Sequence, residues 1–92
     1  MNENRARWRV RFHGKVQFVG FRHTAGFLAR QLGLSGWVRN MPDGSVLMEA
    51  QGPVSALRQM LIRLKSRPPI HIEKAVIREI PPEEGERSFR IG

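Results

Sequence analysis

The stretch from Gly14 to Arg22 has the residue types that can hold an anion. It reads Gly-Lys-Val-Gln-Phe-Val-Gly-Phe-Arg and joins an alternating strand pattern to a helical one. The N–H groups at a helix start carry positive partial charge and lack intrahelical partners. Arg22 adds planar donors that match phosphate oxygens. We therefore predict a phosphate-binding loop that includes Arg22. The alternative is an ordinary surface arginine, which the dipole at a helix start disfavours by about a few tenths of a kcal/mol.

Few other side chains in the sequence suggest a reaction. Asn40 ends a predicted strand just before a turn, where it is either a turn-forming residue or a neutral amide that orients a water molecule. Asp43, the only aspartate, lies in that turn and is expected to be structural, and Glu49 has no paired carboxylate. His23 is expected on a helix surface. The sequence contains no Ser-His-Asp set, carboxylate pair or Walker A motif.

Composition limits the class of protein. A chain of 92 residues, 40% of them hydrophobic, can build one modest core, so we expect a single domain over residues 1–92. The absence of cysteine excludes disulfides, thiolate nucleophiles and cysteine–zinc sites, and the three histidines have no spacing that suggests a metal site. There is no apolar run long enough for a bilayer and no signal-peptide pattern. We expect a cytoplasmic monomer that needs no cofactor or metal and does not bind membranes.

The charge of the chain points to an anionic partner without identifying it. The formal net charge is +8, and thirteen of the sixteen basic residues are arginine. Residues 1–39 hold eight basic residues and one acid, Glu3. This excess fits an anionic ligand or nucleic acid, and it fits equally well a solvated basic face. Charge alone therefore does not decide the function.

The elements around the loop can be predicted from periodicity. Residues 1–6 are polar and expected to fray. Residues 7–13 alternate strictly, which indicates a strand with one solvated, basic face, and residues 14–20 form the loop. From Phe21 the apolar residues recur at helical spacing until Gly33, which is a typical residue just after a helix.

The second half of the chain shows a hairpin, a helix and a final strand pattern. Residues 36–41 and 45–51 read as two strands joined by a Pro-Asp-Gly turn, and Gly52-Pro53 is expected to break the hairpin. A second amphipathic helix starts at Val54 and stops at a Pro-Pro pair. Residues 72–80 form a fourth strand, with a possible short piece at 88–91. The order predicts a ferredoxin-like α+β sandwich, an antiparallel four-stranded sheet with two helices on one face.

Two motifs in the chain resemble those of the acylphosphatase family. The first is Gly14-x-Val16-Gln17-x-Val19-x-Phe21-Arg22. The second is Ala29-x-x-Leu32-Gly33-Leu34-x-Gly36-Trp37-Val38-x-Asn40-x-x-Asp43-Gly44-x-Val46, followed by Gln51-Gly52. The match covers most of residues 8–52, and the later elements with the closing Ser-Phe-Arg-Ile also fit in position.

The resemblance implies a hydrolase that converts an acyl phosphate, a carboxyl-phosphate mixed anhydride, to a carboxylate and inorganic phosphate. It gives Arg22 the role of phosphate ligand and Asn40 that of orienting the water. The loop residues implied to bind the phosphoryl group through their amides are Gln17, Phe18, Val19, Gly20 and Phe21. A carboxylate leaves readily, so positioning and charge stabilisation can do most of the catalysis without a general acid or metal. The substrate phosphate can itself accept the proton of the water.

Phe18 departs from the family pattern, which usually has glycine at this loop position. If the position has negative φ, the side chain can point outward and form a lip on the pocket. If it needs positive φ, a bulky residue costs roughly 1–3 kcal/mol and could distort the ring of amides. The sequence leaves both possibilities open, together with the preferred acyl group.

Two other functions compete with acyl phosphate hydrolysis. One is a non-hydrolytic acylphosphatase-like domain that binds an acyl or carbamoyl phosphate. Such domains also begin larger carbamoyl-transferring proteins, whose zinc-finger cysteines and length this chain lacks. The other is an RNA-binding module of ferredoxin-like topology, because residues 18–21 match part of an aromatic F-V-x-F signature. That signature belongs on the third strand, which here contains no aromatic residue, so nucleic acid is not an expected partner.

Overall fold

Five strands and two helices follow one another in residues 4–92, the part of the chain that the computed structural model describes. They are β1 Arg5–Lys15, α1 Phe21–Gln31, β2 Ser35–Asn40, β3 Val46–Pro53, α2 Val54–Lys65, β4 His71–Ile80 and β5 Phe89–Ile91. Neither helix is long and apolar enough to cross a membrane.

The strands form one sheet in the order β4-β1-β3-β2-β5. β1 pairs antiparallel with β3 and β4, and β2 pairs antiparallel with β3. The predicted ferredoxin-like order and the two helices on the sheet are confirmed. The prediction of a four-stranded, antiparallel sheet is wrong in one respect, because β5 adds a fifth strand that runs parallel to β2. Phe89, which is 3% exposed, anchors this short strand in the core.

The core lies between the helices and one face of the sheet. Val10 and Phe12 of β1 are buried there with the apolar faces of α1 and α2. Phe21, the first residue of α1, packs against Phe12 with ring centroids 4.8 Å apart and an interplanar angle of 55°. Because this contact fixes the first residue of α1 on β1, the core itself positions the helix start that follows the loop.

Three predicted boundaries around β1 and β3 are corrected. β1 begins at Arg5, so the prediction of fraying over residues 1–6 fails for its last two residues, and residues 1–3 lie outside the described residues. β1 continues to Lys15 through a register shift at His13 and Gly14, which shortens the predicted loop to residues 16–20. β3 continues through Gly52 to Pro53, because both residues pair with the start of β1.

The basic face of β1 is less exposed than its alternation predicts. The Arg7 side chain is 2% exposed and pairs with Glu49 of β3 at 2.9 Å and with Glu86 at 2.8 Å. Gln51 and Glu83 exchange hydrogen bonds of 3.0 and 2.7 Å. These contacts hold residues 81–88 across this face of the sheet, so Arg7 is buried with two carboxylates rather than solvated.

Candidate active site

Arg22 and Asn40 lie in the wall of one cavity of about 320 Å³. The described residues that line this cavity are Val16, Gly20, Phe21, Arg22, His23, Asn40 and Ile91. Hollows of about 500 Å³ occur elsewhere on the molecule, so size does not distinguish this cavity. The wall residues distinguish this cavity from the others, because they bring together an arginine, a side-chain amide and the start of a helix.

The start of α1 presents backbone donors to this cavity. Gly20 precedes the helix in the left-handed conformation, with φ 77°, and its carbonyl oxygen accepts a hydrogen bond of 3.0 Å from the Thr24 amide. Within residues 4–92, no side chain caps this end of the helix, and its first turn holds no acidic residue. The start of α2 also lacks a side-chain cap, so an uncapped helix is not sufficient evidence of a site. Arg22 and Asn40 distinguish the α1 end.

Arg22 is half-buried and held by the end of β5. Its Nη1 donates a hydrogen bond to the main-chain oxygen of Gly92 at 2.5 Å. The Gly92 amide in turn donates to the Val38 carbonyl oxygen at 2.8 Å, two residues before Asn40. A guanidinium has five N–H donors, so this contact orients the group and leaves donors for an anion.

Asn40 is placed by the alternation of β2. Val38 is fully buried on the helix side of the sheet, and Asn40, two residues later, points to the same side. Arg39 points to the opposite side, where its guanidinium carbon lies 4.8 Å from the centre of the Trp37 ring. The Asn40 amide therefore faces the start of α1 and not the open face of the sheet.

The loop residues have different environments. The Gln17 amide nitrogen donates to the carbonyl oxygens of Met41 and Ser45, at 2.8 and 2.9 Å, and so ties the loop to the β2–β3 turn. Val19 packs against the core. The side chains of Gln17, Phe18 and Val19 are not among the cavity walls, whereas Gly20 and Phe21 are. The phosphate-binding role predicted for these residues belongs to their backbone amides, not to their side chains.

The conformation of Phe18 is resolved in favour of positive φ. Its φ is 62°, and the side chain is 97% exposed. Of the two possibilities, the structure has the one with positive φ, and this backbone strain costs roughly 1–2 kcal/mol of stability. The exposed ring also points away from the protein. The backbone at position 18 is therefore in the left-handed conformation that glycine adopts without strain.

Asp43 is structural, as predicted. Its Oδ1 accepts hydrogen bonds from the Ser45 amide at 3.0 Å and from the Ser45 hydroxyl at 2.5 Å. These bonds hold the pKa of Asp43 below its ordinary value. Gln17 bonds to the Ser45 carbonyl oxygen, so this turn is a support for the loop.

Four residues at the site were not predicted. Val16, His23 and Ile91 belong to the cavity wall, and Gly92 holds Arg22. His23 is exposed, as expected for a helix surface, but it lies beside the cavity. The alternation of Phe89 and Ile91 indicated a strand, yet only the parallel pairing of β5 with β2 places Ile91 here.

Comparison with known proteins gives a consistent result. The Acylphosphatase family model matches residues 8–91. The chain is 43% identical over 75 residues to an acylphosphatase from Pediococcus pentosaceus, covering 79% of this chain and 83% of the relative. It is 39% identical over 92 residues to an acylphosphatase from Koribacter versatilis, covering 99% of this chain and 84% of the relative. The structure is similar to that of an acylphosphatase from Bacillus subtilis, with a TM-score of 0.87 and 33% sequence identity. The similarity covers 94% of this chain and 97% of the Bacillus subtilis chain.

Proposed function

The chain belongs to the acylphosphatase family, and we propose that the start of α1 and Asn40 form the active site with which it hydrolyses acyl phosphates to a carboxylate and inorganic phosphate. The observation that supports this assignment is the cavity that Arg22 and Asn40 line together at an uncapped helix start. Arg22 belongs to the first of the two motifs that suggested the family and Asn40 to the second, and both line this cavity.

The phosphoryl group is held by residues 17–22. The amides of Gln17, Phe18, Val19, Gly20 and Phe21 and the guanidinium of Arg22 supply donors and positive charge. Arg22 carries a fixed charge, and its contact with Gly92 restrains it before substrate arrives. Preorganised donors of this kind stabilise the charge that builds up on the phosphoryl oxygens in the transition state.

The water is oriented by Asn40. A water bound to this neutral amide attacks phosphorus on the side opposite the acyl oxygen. A phosphorus–oxygen bond forms to the water, the bond to the acyl oxygen breaks, and the carboxylate leaves with the bonding electrons. The proton of the water passes to a phosphoryl oxygen. Because the leaving group is a stable anion, the reaction needs no general acid, and no Asp or Glu is among the described residues that line the cavity.

The two competing functions are not favoured. Phe21 is buried in the core and Phe18 lies in the loop, so neither ring is available for stacking on the open face of the sheet. The non-hydrolytic alternative rested mainly on Phe18 distorting the loop. The left-handed backbone there and the shared cavity of Arg22 and Asn40 support hydrolysis instead.

A hydrolysis assay tests the proposal. Acetyl phosphate and a phosphate monoester, p-nitrophenyl phosphate, are compared with a metal chelator present. We expect turnover of acetyl phosphate only, with competitive inhibition by inorganic phosphate. Hydrolysis of the monoester at a similar rate, or loss of turnover with the chelator, would overturn the mechanism. A monomeric state and a cytoplasmic location remain predictions, and light scattering checks the first.

A further inference from the structure

A second hollow adjoins the cavity of the proposed active site. It has a volume of about 500 Å³ and is lined by His23, Phe27, Arg30, Gln31 and Ile91. His23 and Ile91 belong to both walls, so the two spaces meet along them. Among the described residues, the hollows around Trp37, Glu84 and Leu61 share no wall residue with the cavity of the proposed active site. We call this second hollow the α1–β5 groove.

The sequence of α1 explains the apolar surface of the groove. His23, Phe27 and Arg30 are spaced as successive residues along one helix face. Phe27 is 55% exposed and Ile91 is 37% exposed, whereas Ala25, Leu28 and Ala29 of the same helix are fully buried. The Phe27 side chain is therefore not buried in the core, and its ring forms one wall of the groove.

Gly26 allows β5 to form the opposite wall. A Cβ atom at position 26 would lie 2.5 Å from Ile91 Cδ1, which is closer than real Cβ contacts allow. Glycine thus permits Ile91 to lie directly on α1, beside Phe27. The result is an apolar surface that continues from the start of the helix, where Arg22 lies, toward Arg30.

We propose that the α1–β5 groove binds the acyl group of the substrate and favours aromatic or branched aliphatic acyl groups over small ones. This inference rests on the proposed function. In an acyl phosphate a single oxygen joins the acyl carbon to phosphorus, so the acyl group must lie within a few bonds of the phosphate site. The groove adjoins the cavity that contains Arg22 and Asn40. Its Phe27 and Ile91 side chains are apolar and suit an apolar acyl group.

The test compares two substrates in three proteins. kcat/KM is measured for benzoyl phosphate and acetyl phosphate with the wild-type chain, Phe27→Ala and Ile62→Ala. Ile62 is a matched control, since it is 57% exposed on α2 and lies outside both walls. The ratio of the two constants is compared between proteins, because the chemical reactivity of each substrate then cancels.

We expect Phe27→Ala to lower the preference for benzoyl phosphate about tenfold, the usual effect of losing one apolar wall. Ile62→Ala should keep the wild-type ratio. Phe27→Gln repeats the test with a better solvated side chain. If the wild-type chain hydrolyses both substrates and the Phe27 variants keep its ratio, the groove proposal is overturned and the proposed function stands. If the wild-type chain hydrolyses neither, both are overturned.

Discussion

Arg22 supplies a permanent positive charge in the wall of the proposed active-site cavity, so its loss should remove both binding and catalysis. We predict that Arg22→Ala lowers kcat/KM for acetyl phosphate by about a thousandfold or more and removes inhibition by inorganic phosphate. Steady-state kinetics check this. Arg58→Ala, at an exposed arginine on α2, controls for the change in net charge. Near-normal turnover in Arg22→Ala would contradict the site assignment.

Loss of the Asn40 amide should lower the rate of hydrolysis without weakening the binding of inorganic phosphate. We predict that Asn40→Ala lowers kcat by about a hundredfold, because the water is no longer oriented. The inhibition constant for inorganic phosphate should change less than about twofold, since Arg22 and the amides remain. The two constants are measured side by side. A parallel loss of phosphate binding would show that Asn40 is a phosphate ligand instead.

Phe18 should matter for stability more than for activity. The backbone at position 18 is already left-handed, so Phe18→Gly relieves strain without redirecting the amides. We predict a free energy of unfolding higher by about 1 kcal/mol and turnover within about twofold of wild type. Denaturant unfolding and the acyl phosphate assay check the two parts. A large gain in activity would mean that the natural residue impairs the phosphate loop.

At the scale of elements, the loop depends on the β2–β3 turn through one side chain. We predict that Gln17→Met, which keeps the length of the side chain but removes its donors, lowers the free energy of unfolding by about 1–2 kcal/mol. Two carbonyl oxygens, those of Met41 and Ser45, lose a partner. The loop is then held less firmly, so the inhibition constant for phosphate should rise. An unchanged constant would show that the loop is fixed by its own packing.

The elements that carry the proposed phosphate site could be predicted, whereas the pairing of β5, which supports Arg22, could not. The change from strand to helix periodicity at Phe21 indicates α1, and the Pro-Asp-Gly turn indicates the β2–β3 hairpin. Both signals come from residues close together in the sequence, so they can be recognised without the structure. The parallel pairing of the three residues of β5 with β2 depends on contacts distant in sequence. A three-residue strand has too short a pattern to reveal its partner. Gly92 and Ile91 were missed for this reason.

The burial of Arg7 was missed for a related reason. Alternation shows which side of a strand a residue occupies, but not what later covers that side. Residues 81–85 read as an acidic loop, and the structure places Glu86, the residue that follows this loop, against Arg7. Some of the arginines are therefore paired in a cluster, in which the carboxylates of Glu49 and Glu86 lie between them.

At the scale of the whole molecule, this cluster makes stability depend on pH. Burial raises the pKa of Glu86, but the hydrogen bonds from Arg7 and Ser35 outweigh it, so the net pKa lies below the ordinary value of 4.5. A carboxyl with a lowered pKa in the folded state stabilises the fold fully above its ordinary pKa. That stabilisation is lost as the pH falls through the folded-state pKa.

We therefore predict that Glu86→Gln lowers the free energy of unfolding by about 1–3 kcal/mol near pH 6. The difference from wild type should shrink as the pH falls below 4.5 and through the lowered pKa of Glu86, where the carboxyl becomes protonated. Denaturant unfolding at several pH values measures it. Glu79→Gln, at an exposed position on β4, should show no comparable difference. A constant difference across the pH range would exclude an ionic role for Glu86.

The short β5 strand has a consequence for how the activity responds to heat. It is an edge strand of three residues that contains Ile91 of the cavity wall, and it is followed directly by Gly92, whose oxygen holds Arg22. Edge segments with few hydrogen bonds open at a lower free energy than the core. Opening of β5 alone would release Arg22 while the rest of the sheet stays folded. The catalytically competent fraction is then set by this local equilibrium, so we expect activity to decline at a lower temperature than the one at which the core melts.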